Sequence, residues 1–345
     1  MQIEPKDKVL SIIQEKGYIF LDEFIDISLN KLELSYYRSE NPLGKKGDFI
    51  TAPEISQLYG EIVGVYIANY IKKNNIKKFN LIELGPGKGT LMSDVTRVLS
   101  SITNNQINYD IHFVEINESY KVNLATLFTG CNIHSSVDQL PNDYSIIIAN
   151  EFFDVFPIIQ GQKIDNNLYE TIVIMNSGKF IFDKKEIRNE YKSLFNLDLL
   201  DNNQIVETSP VANLVFEKIT KLLLKNSGMM IVMDYGYTSA PNISTLQSIK
   251  DNKKTNFLDN IGKQDLTSSV NFKSFLEILG ENKISSKSIQ TQREFLINNG
   301  INYRAEMLIE KNKEKEKEIL SQVSRLIDID KMGNLFKFLQ FSTNT

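Results

Sequence analysis

The feature that most constrains this 345-residue chain is the run Leu81-Ile82-Glu83-Leu84-Gly85-Pro86-Gly87-Lys88-Gly89-Thr90. The apolar stretch Phe79 to Leu84 predicts a buried strand, and Leu91, Val95 and Val98 at helical spacing predict a helix that starts at Thr90. Three glycines spaced by single residues join the two. A turn this sharp needs backbone freedom, and it lets a ligand lie on the main chain with no Cβ in the way. In an α/β sheet, the strand end and the following helix N-terminus are where nucleotide-like ligands bind. The spacing departs from the dinucleotide pattern G-x-G-x-x-G. Lys88 is followed by Gly89 rather than Ser or Thr, which excludes a phosphate loop. The competing reading is a tight turn with no ligand.

An acid, Glu83, stands two residues before the first glycine. This arrangement resembles the first motif of class I S-adenosylmethionine (SAM) methyltransferases, in which the glycine turn cradles the methionine part of the cofactor. The resemblance implies SAM as cofactor, with Glu83, Gly85, Pro86, Gly87, Gly89 and Thr90 around it. A second predicted strand, Tyr109 to Glu115, delivers Glu115 to the edge where ribose hydroxyls are held in such sheets. A further predicted strand, Tyr144 to Ala149, opens into Asn150-Glu151-Phe152-Phe153-Asp154. Polar groups there face the ligand crevice. Asn150, Glu151 and Asp154 are therefore the catalytic candidates, with Asn150 also counted among the cofactor-binding residues. Helix capping by Asn150 or Asp154 is the competing reading.

Elsewhere the chain predicts helices over 6–34. A glycine-containing loop follows, carrying Asp48, Thr51 and Glu54, with Thr51 as cap of one helix from Pro53 to Lys73. Short strands over 158–183 predict an antiparallel insertion, and Gln204 to Pro210 is expected to open a helix with Ser209 as cap and Pro210 at its first position. Gly228 to Tyr237 reads as a fifth buried strand, followed by a long loop. Residues 302–327 read as helix and Phe336 to Phe341 as a last, antiparallel strand. The expected architecture is α/β, a Rossmann-like methyltransferase sheet. Residues 1–75 form an N-terminal helical region with a lid loop over 36–54. Residues 76–345 form the methyltransferase domain, with an insertion over 158–203 and additional helices over 292–330.

Composition narrows the function. A formal net charge of -4 gives no overall basic field for nucleic acid. The single cysteine, Cys131, allows no internal disulfide and reads as a buried strand residue. The two histidines, His112 and His134, neighbour no ligand set, so no metal is expected. No stretch approaches the roughly 20 apolar residues of a membrane span. The first residues lack the apolar core of a signal peptide. The expected setting is a bacterial cytoplasm.

Several islands taken together resemble the MidA-type SAM-dependent methyltransferases, whose mitochondrial members are arginine methyltransferases that assist complex I assembly. The matching text includes Gly47 to Gln57, Glu83 to Met92, Asn150 to Asp154, Glu207-Thr208-Ser209-Pro210, Asp234-Tyr235-Gly236 and Asp265-Leu266-Thr267, and continues to Lys337. The islands stand in family order between residues 36 and 337. The sequence departs from the family where Lys88 stands for arginine, near Asn252 where a histidine is usual, and at Asn271 where an aspartate is usual. The resemblance implies methylation of arginine on a protein, such as a complex I subunit. Glu151 and Asp154 would pair with the guanidinium, and Asp48 and Glu54 would close over it. Two other classes compete: a non-catalytic SAM-binding assembly protein, and a small-molecule or RNA methyltransferase.

Overall fold

The structure is a computed structural model that describes residues 2–38, 51–104 and 106–343. It divides into two compact units, interleaved along the chain. One comprises 50–152, 218–236 and 279–345; the other comprises 1–49, 153–217 and 237–278.

The unit containing the glycine turn is built on a mixed sheet. Its strands run in the order Lys287–Thr291, Phe336–Ser342, Gly228–Tyr237, Ser145–Asn150, Lys78–Leu84, Asn108–Val114 and Asn132–His134. From Gly228–Tyr237 to Asn132–His134 every neighbour is parallel. Phe336–Ser342 and Lys287–Thr291 close the other edge antiparallel. Ser145–Asn150 is buried throughout, and Lys78–Leu84 is buried from Phe79 on. That continuous burial is why these strands appear in the sequence as unbroken apolar runs rather than alternations.

Two helices on this unit approach closely. The helix Gln57–Lys73 carries Gly60 and Gly64. A Cβ at Gly60 would stand 2.6 Å from the Asp94 side chain, and one at Gly64 would stand 2.9 Å from that of Val98. Asp94 and Val98 lie on the helix Thr90–Thr103. Only hydrogen at both positions permits this spacing. Beside the contact, buried Glu61 accepts from Arg97 at 2.8 Å and from Arg304 at 2.8 Å.

The other unit holds the antiparallel insertion. Ile159–Ile164, Asn167–Asn176 and Lys179–Glu186 pair in succession, with Ile205–Thr208 on the free side of the first. Its own core includes Val9, Phe24, Ile27, Val173 and Phe257.

Several expectations need correction. Ile19–Phe20, inside the expected N-terminal helices, is a short strand paired with Val173 and Ile172. The helix expected to run unbroken from Pro53 ends at Ile55 and restarts at Gln57. Ser56 between them is extended (φ -156°), and its hydroxyl oxygen accepts from the Leu58 N–H. Thr51 makes no side-chain cap: Pro53 at the second helical position has no N–H, and the Glu54 N–H bonds the Thr51 carbonyl at 3.0 Å. The residues before that helix form a strand, Ile205–Thr208, that was not expected, while the helix starts at Pro210 as expected, with Ser209 accepting from the Ala212 N–H at 3.1 Å. The expected long loop contains a three-stranded sheet of Gln247–Lys250, Lys253–Lys254 and Asp265–Thr267. Cys131 is half-buried and precedes its strand. The helix expected over 302–327 is interrupted at Asn312.

Candidate functional site

Glu83 is the penultimate residue of the buried strand Lys78–Leu84, and burial pushes its carboxyl up to about 8. The Met92 N–H, in the first turn of the next helix, lowers it, and the nearby Glu115 raises it. One oxygen, Oε2, is fully buried with no hydrogen-bond partner among the described residues. An ionised carboxylate in that setting is costly unless a cation or further donors reach it.

The turn that follows is fixed by its glycines. Gly85, Gly87 and Gly89 all have positive φ, at 62°, 51° and 77°. The Gly85 N–H bonds the Val114 carbonyl at 2.9 Å, and the Gly89 N–H bonds that of Pro86 at 2.8 Å. A Cβ at Gly85 would meet the Phe152 ring at 2.9 Å, and one at Gly89 would meet Leu124 and Phe128 at the same distance. Gly85 is exposed while Pro86 and Gly87 are buried, so bare main chain faces outward at one point of the turn. Thr90 opens the helix with Gly89 as cap, and no side chain caps its N–H groups from that position.

Glu115 sits just past the next strand, Asn108–Val114, and is buried. Its Oε1 accepts from the Ile116 N–H at 2.7 Å and from the Asn117 N–H at 2.8 Å. The Gly87 N–H also bonds this carboxylate, which burial raises and the three amides pull down. Glu115 thus ties the glycine turn to the neighbouring strand end.

At the end of Ser145–Asn150, Asn150 accepts from the Tyr59 hydroxyl at 2.7 Å and donates to Glu151 Oε1 at 3.4 Å. Glu151 has left-handed backbone (φ 48°), which costs a non-glycine residue about 1 kcal/mol or more. Its N–H bonds the Met233 carbonyl at 2.8 Å. Its Oε1 accepts from the Ala52 N–H at 3.1 Å. Buried Asp234 accepts from the Phe152 N–H at 3.2 Å and from the Tyr235 N–H at 2.9 Å. Burial, followed by Glu151 and Asp234, holds the Tyr59 phenol well above its usual range, so it stays a donor. Glu54 pairs with Lys88 of the glycine turn at 3.2 Å.

Glu83, Gly85, Pro86, Gly87, Gly89, Thr90, Glu115, Asn150, Glu151 and Glu54 therefore all lie in one unit. Asp154 belongs to the other, where its backbone carbonyl accepts from the Ser268 N–H at 3.0 Å. Its carboxylate acts on buried Tyr37, whose hydroxyl donates to Asp265 at 2.7 Å. Asp48 lies outside the described residues. Sequence reasoning missed the roles of Tyr59, Asp234, Phe152 and Lys88. Tyr59 looked like one more member of an apolar stripe, and only the chain's return at Asn150 shows what its hydroxyl does. Among the described residues no cluster suits a metal ion.

Comparison with known proteins gives a consistent result. The family model described as "Putative S-adenosyl-L-methionine-dependent methyltransferase" matches residues 62–290. The mitochondrial protein arginine methyltransferase NDUFAF7 of Xenopus tropicalis is 30% identical, over 94% of this chain and 83% of its own length. The human protein of that name is 29% identical, over 94% and 80%. A Burkholderia thailandensis protein crystallised with S-adenosyl-homocysteine superposes with a TM-score of 0.83 at 21% identity, covering 98% of this chain and 91% of that one. This last likeness concerns the fold.

Proposed function

The chain belongs to this family of S-adenosyl-L-methionine-dependent methyltransferases, and from that premise we propose that it methylates arginine on a protein substrate. SAM, the cofactor, supplies an electrophilic methyl group on a sulfonium. The residues present fit it. Glu83 offers a buried oxygen with no partner among the described residues, suited to the ammonium of its methionine part. Gly85 and Gly89 leave main chain where a Cβ would collide. Glu115 would hold ribose hydroxyls with the capacity its three amides leave, and Asn150 would border the same cofactor. We read the parallel strands as the Rossmann-like sheet that presents these groups; the lid loop expected over 36–54 lies mostly outside the described residues.

The observation that carries the acceptor reading is Glu151. A carboxylate held in strained backbone at the end of a buried parallel strand is positioned by the fold rather than left to solvent. Its two oxygens match a guanidinium fork. In this reading Glu151 orients the acceptor and Glu54 of the same unit helps to enclose it. The relatives' name as arginine methyltransferases supports the same acceptor. The family resemblance points to a respiratory complex I subunit as the substrate.

One observation favours a second reading, a non-catalytic SAM-binding assembly protein. Glu151 Oε1 already serves the Ala52 N–H and the Asn150 amide, a structural use. The test incubates the protein with methyl-labelled SAM and a cell lysate, then hydrolyses the labelled protein to amino acids. Labelled methylarginine that falls at least tenfold with Glu151→Gln, while SAM binding is retained, is the expected result. Label in another amino acid, in RNA or in a small molecule would refute the arginine reading. No label at all, with SAM bound, would favour the assembly protein.

A further inference from the structure

The segment Ala52–Ile55 is a single helical turn, too short to be stable by itself. It does not extend the helix Gln57–Lys73, because Ser56 between them is extended. Ala52 and Pro53 are buried, and two side chains from elsewhere in the same unit fix its polar groups. Glu151, at the end of Ser145–Asn150, accepts from the Ala52 N–H at 3.1 Å. Lys88, in the glycine turn after Lys78–Leu84, pairs with Glu54 at 3.2 Å. Those two strands are hydrogen-bonded neighbours in the parallel sheet. The turn is thus pinned across the carboxyl ends of adjacent strands, the crevice where ligands of such sheets lie.

The Glu54–Lys88 pair is not an ordinary surface ion pair. The Glu54 side chain is 16% exposed, and its Oε2 is fully buried without a hydrogen-bond partner among the described residues. Lys88 stands between two glycines of positive φ, and Gly87 is anchored through its N–H to Glu115. The ammonium therefore projects from a fixed point of main chain. An exposed pair contributes little, because both partners wander and water screens them. Here one partner is buried and the other is mounted on a constrained turn.

We propose that Ala52–Ile55 is a strap latched to the glycine turn by Glu54 and Lys88, and that these two positioning residues set how fast the cofactor leaves. The inference rests on SAM binding at that turn. When the latch is closed, the strap covers the turn. When it opens, the one-turn helix keeps the Ala52 tie and the burial of Ala52 and Pro53, and Glu54 loses its hold on the glycine turn.

The test measures SAM dissociation by stopped flow, in the absence of any methyl acceptor. Lys88→Ala and Glu54→Ala should each speed dissociation about tenfold, and the double variant no more than either alone. Lys88→Arg should restore the slow rate, since it keeps the charge. Rising salt should speed release from the intact protein, by screening the pair, and leave Lys88→Ala unchanged. A Lys88 that instead touches the cofactor directly would give additive effects, with Glu54→Ala near the intact rate, and would overturn the latch. Binding by the intact protein with equal rates in all variants would also overturn the latch but leave the cofactor reading standing. No binding by the intact protein would overturn both. Glu54→Gln, which keeps the side chain's shape, replaces Glu54→Ala if the latter does not fold.

Discussion

Glu83 and Glu115 stand at the ends of neighbouring parallel strands, both buried, both pushed upward by burial. Their surroundings differ. Three backbone N–H groups reach Glu115, two of them from the turn leading into the next helix. One reaches Glu83, whose Oε2 has no hydrogen-bond partner among the described residues. A carboxylate fed by several amides repays its burial within the fold and acts as scaffold. A carboxylate with an open buried oxygen carries a cost that a cationic ligand can relieve. Glutamates at two neighbouring strand ends are thus satisfied to different degrees, Glu115 by amides of the fold and Glu83 only in part.

The largest effect should come from removing the charge that lacks partners. Glu83→Gln is expected to weaken SAM binding on the order of 100-fold by calorimetry, about 2.7 kcal/mol, while the ligand-free protein becomes more heat-stable at alkaline pH. Equal binding by the variant would erase the distinction. Glu115→Ala should act in the opposite way. It strands backbone donors, so the ligand-free fold should lose about 2 kcal/mol in denaturant titration. A loss of SAM affinity with unchanged stability would make Glu115 a ligand group alone.

The comparison also predicts a pH dependence with a definite sign. The folded Glu83 titrates near 8 against an ordinary value of 4.5. Its protonated form is the one the empty fold favours. Its contribution to stability is therefore complete at acid pH and falls as pH rises between those values, by up to about 1.4 kcal/mol per unit. Binding of a cation runs the other way, since it needs the ionised form. SAM affinity should rise up to about tenfold per pH unit toward 8 and then level off. Glu83→Gln should flatten both profiles. The smallest expected effect is at Gly85, where alanine adds a Cβ against the Phe152 ring and a positive φ to tolerate. A cost of about 1–2 kcal/mol is expected in thermal unfolding, eased by Phe152→Leu in the same chain.

How much of this was legible in the sequence follows from the range of each interaction. The strands Lys78–Leu84, Ser145–Asn150 and Gly228–Tyr237 lie within one residue of the expected ones, because a strand buried on both faces shows itself as a local apolar run, and so does Asn108–Val114, whose first half alternates. Ile205–Thr208 and the small sheet around Gln247–Lys250 were hidden, because partners distant along the chain decide them. The break at Ser56 was available, since serine is a favoured cap, but the apolar stripe on either side of it obscured it. The site divides in the same way. Glu83 and the glycines announce themselves by spacing. The Tyr59–Asn150 bond and the Glu54–Lys88 pair do not, because each joins residues far apart in sequence.

The two glycines in the helix Gln57–Lys73 give the molecule a mechanical tolerance. Gly60 and Gly64 set the distance to the helix that carries the glycine turn at its head. A methyl group at Gly60 would begin 2.6 Å from Asp94, where ordinary contact starts near 3.4 Å, so the two helices would have to part by most of an ångström. Displacements of about 1 Å are enough to cost group-transfer chemistry about two orders of magnitude in rate. Alanine at either position would therefore make a slow enzyme by misalignment, with every chemical group of the site still in place.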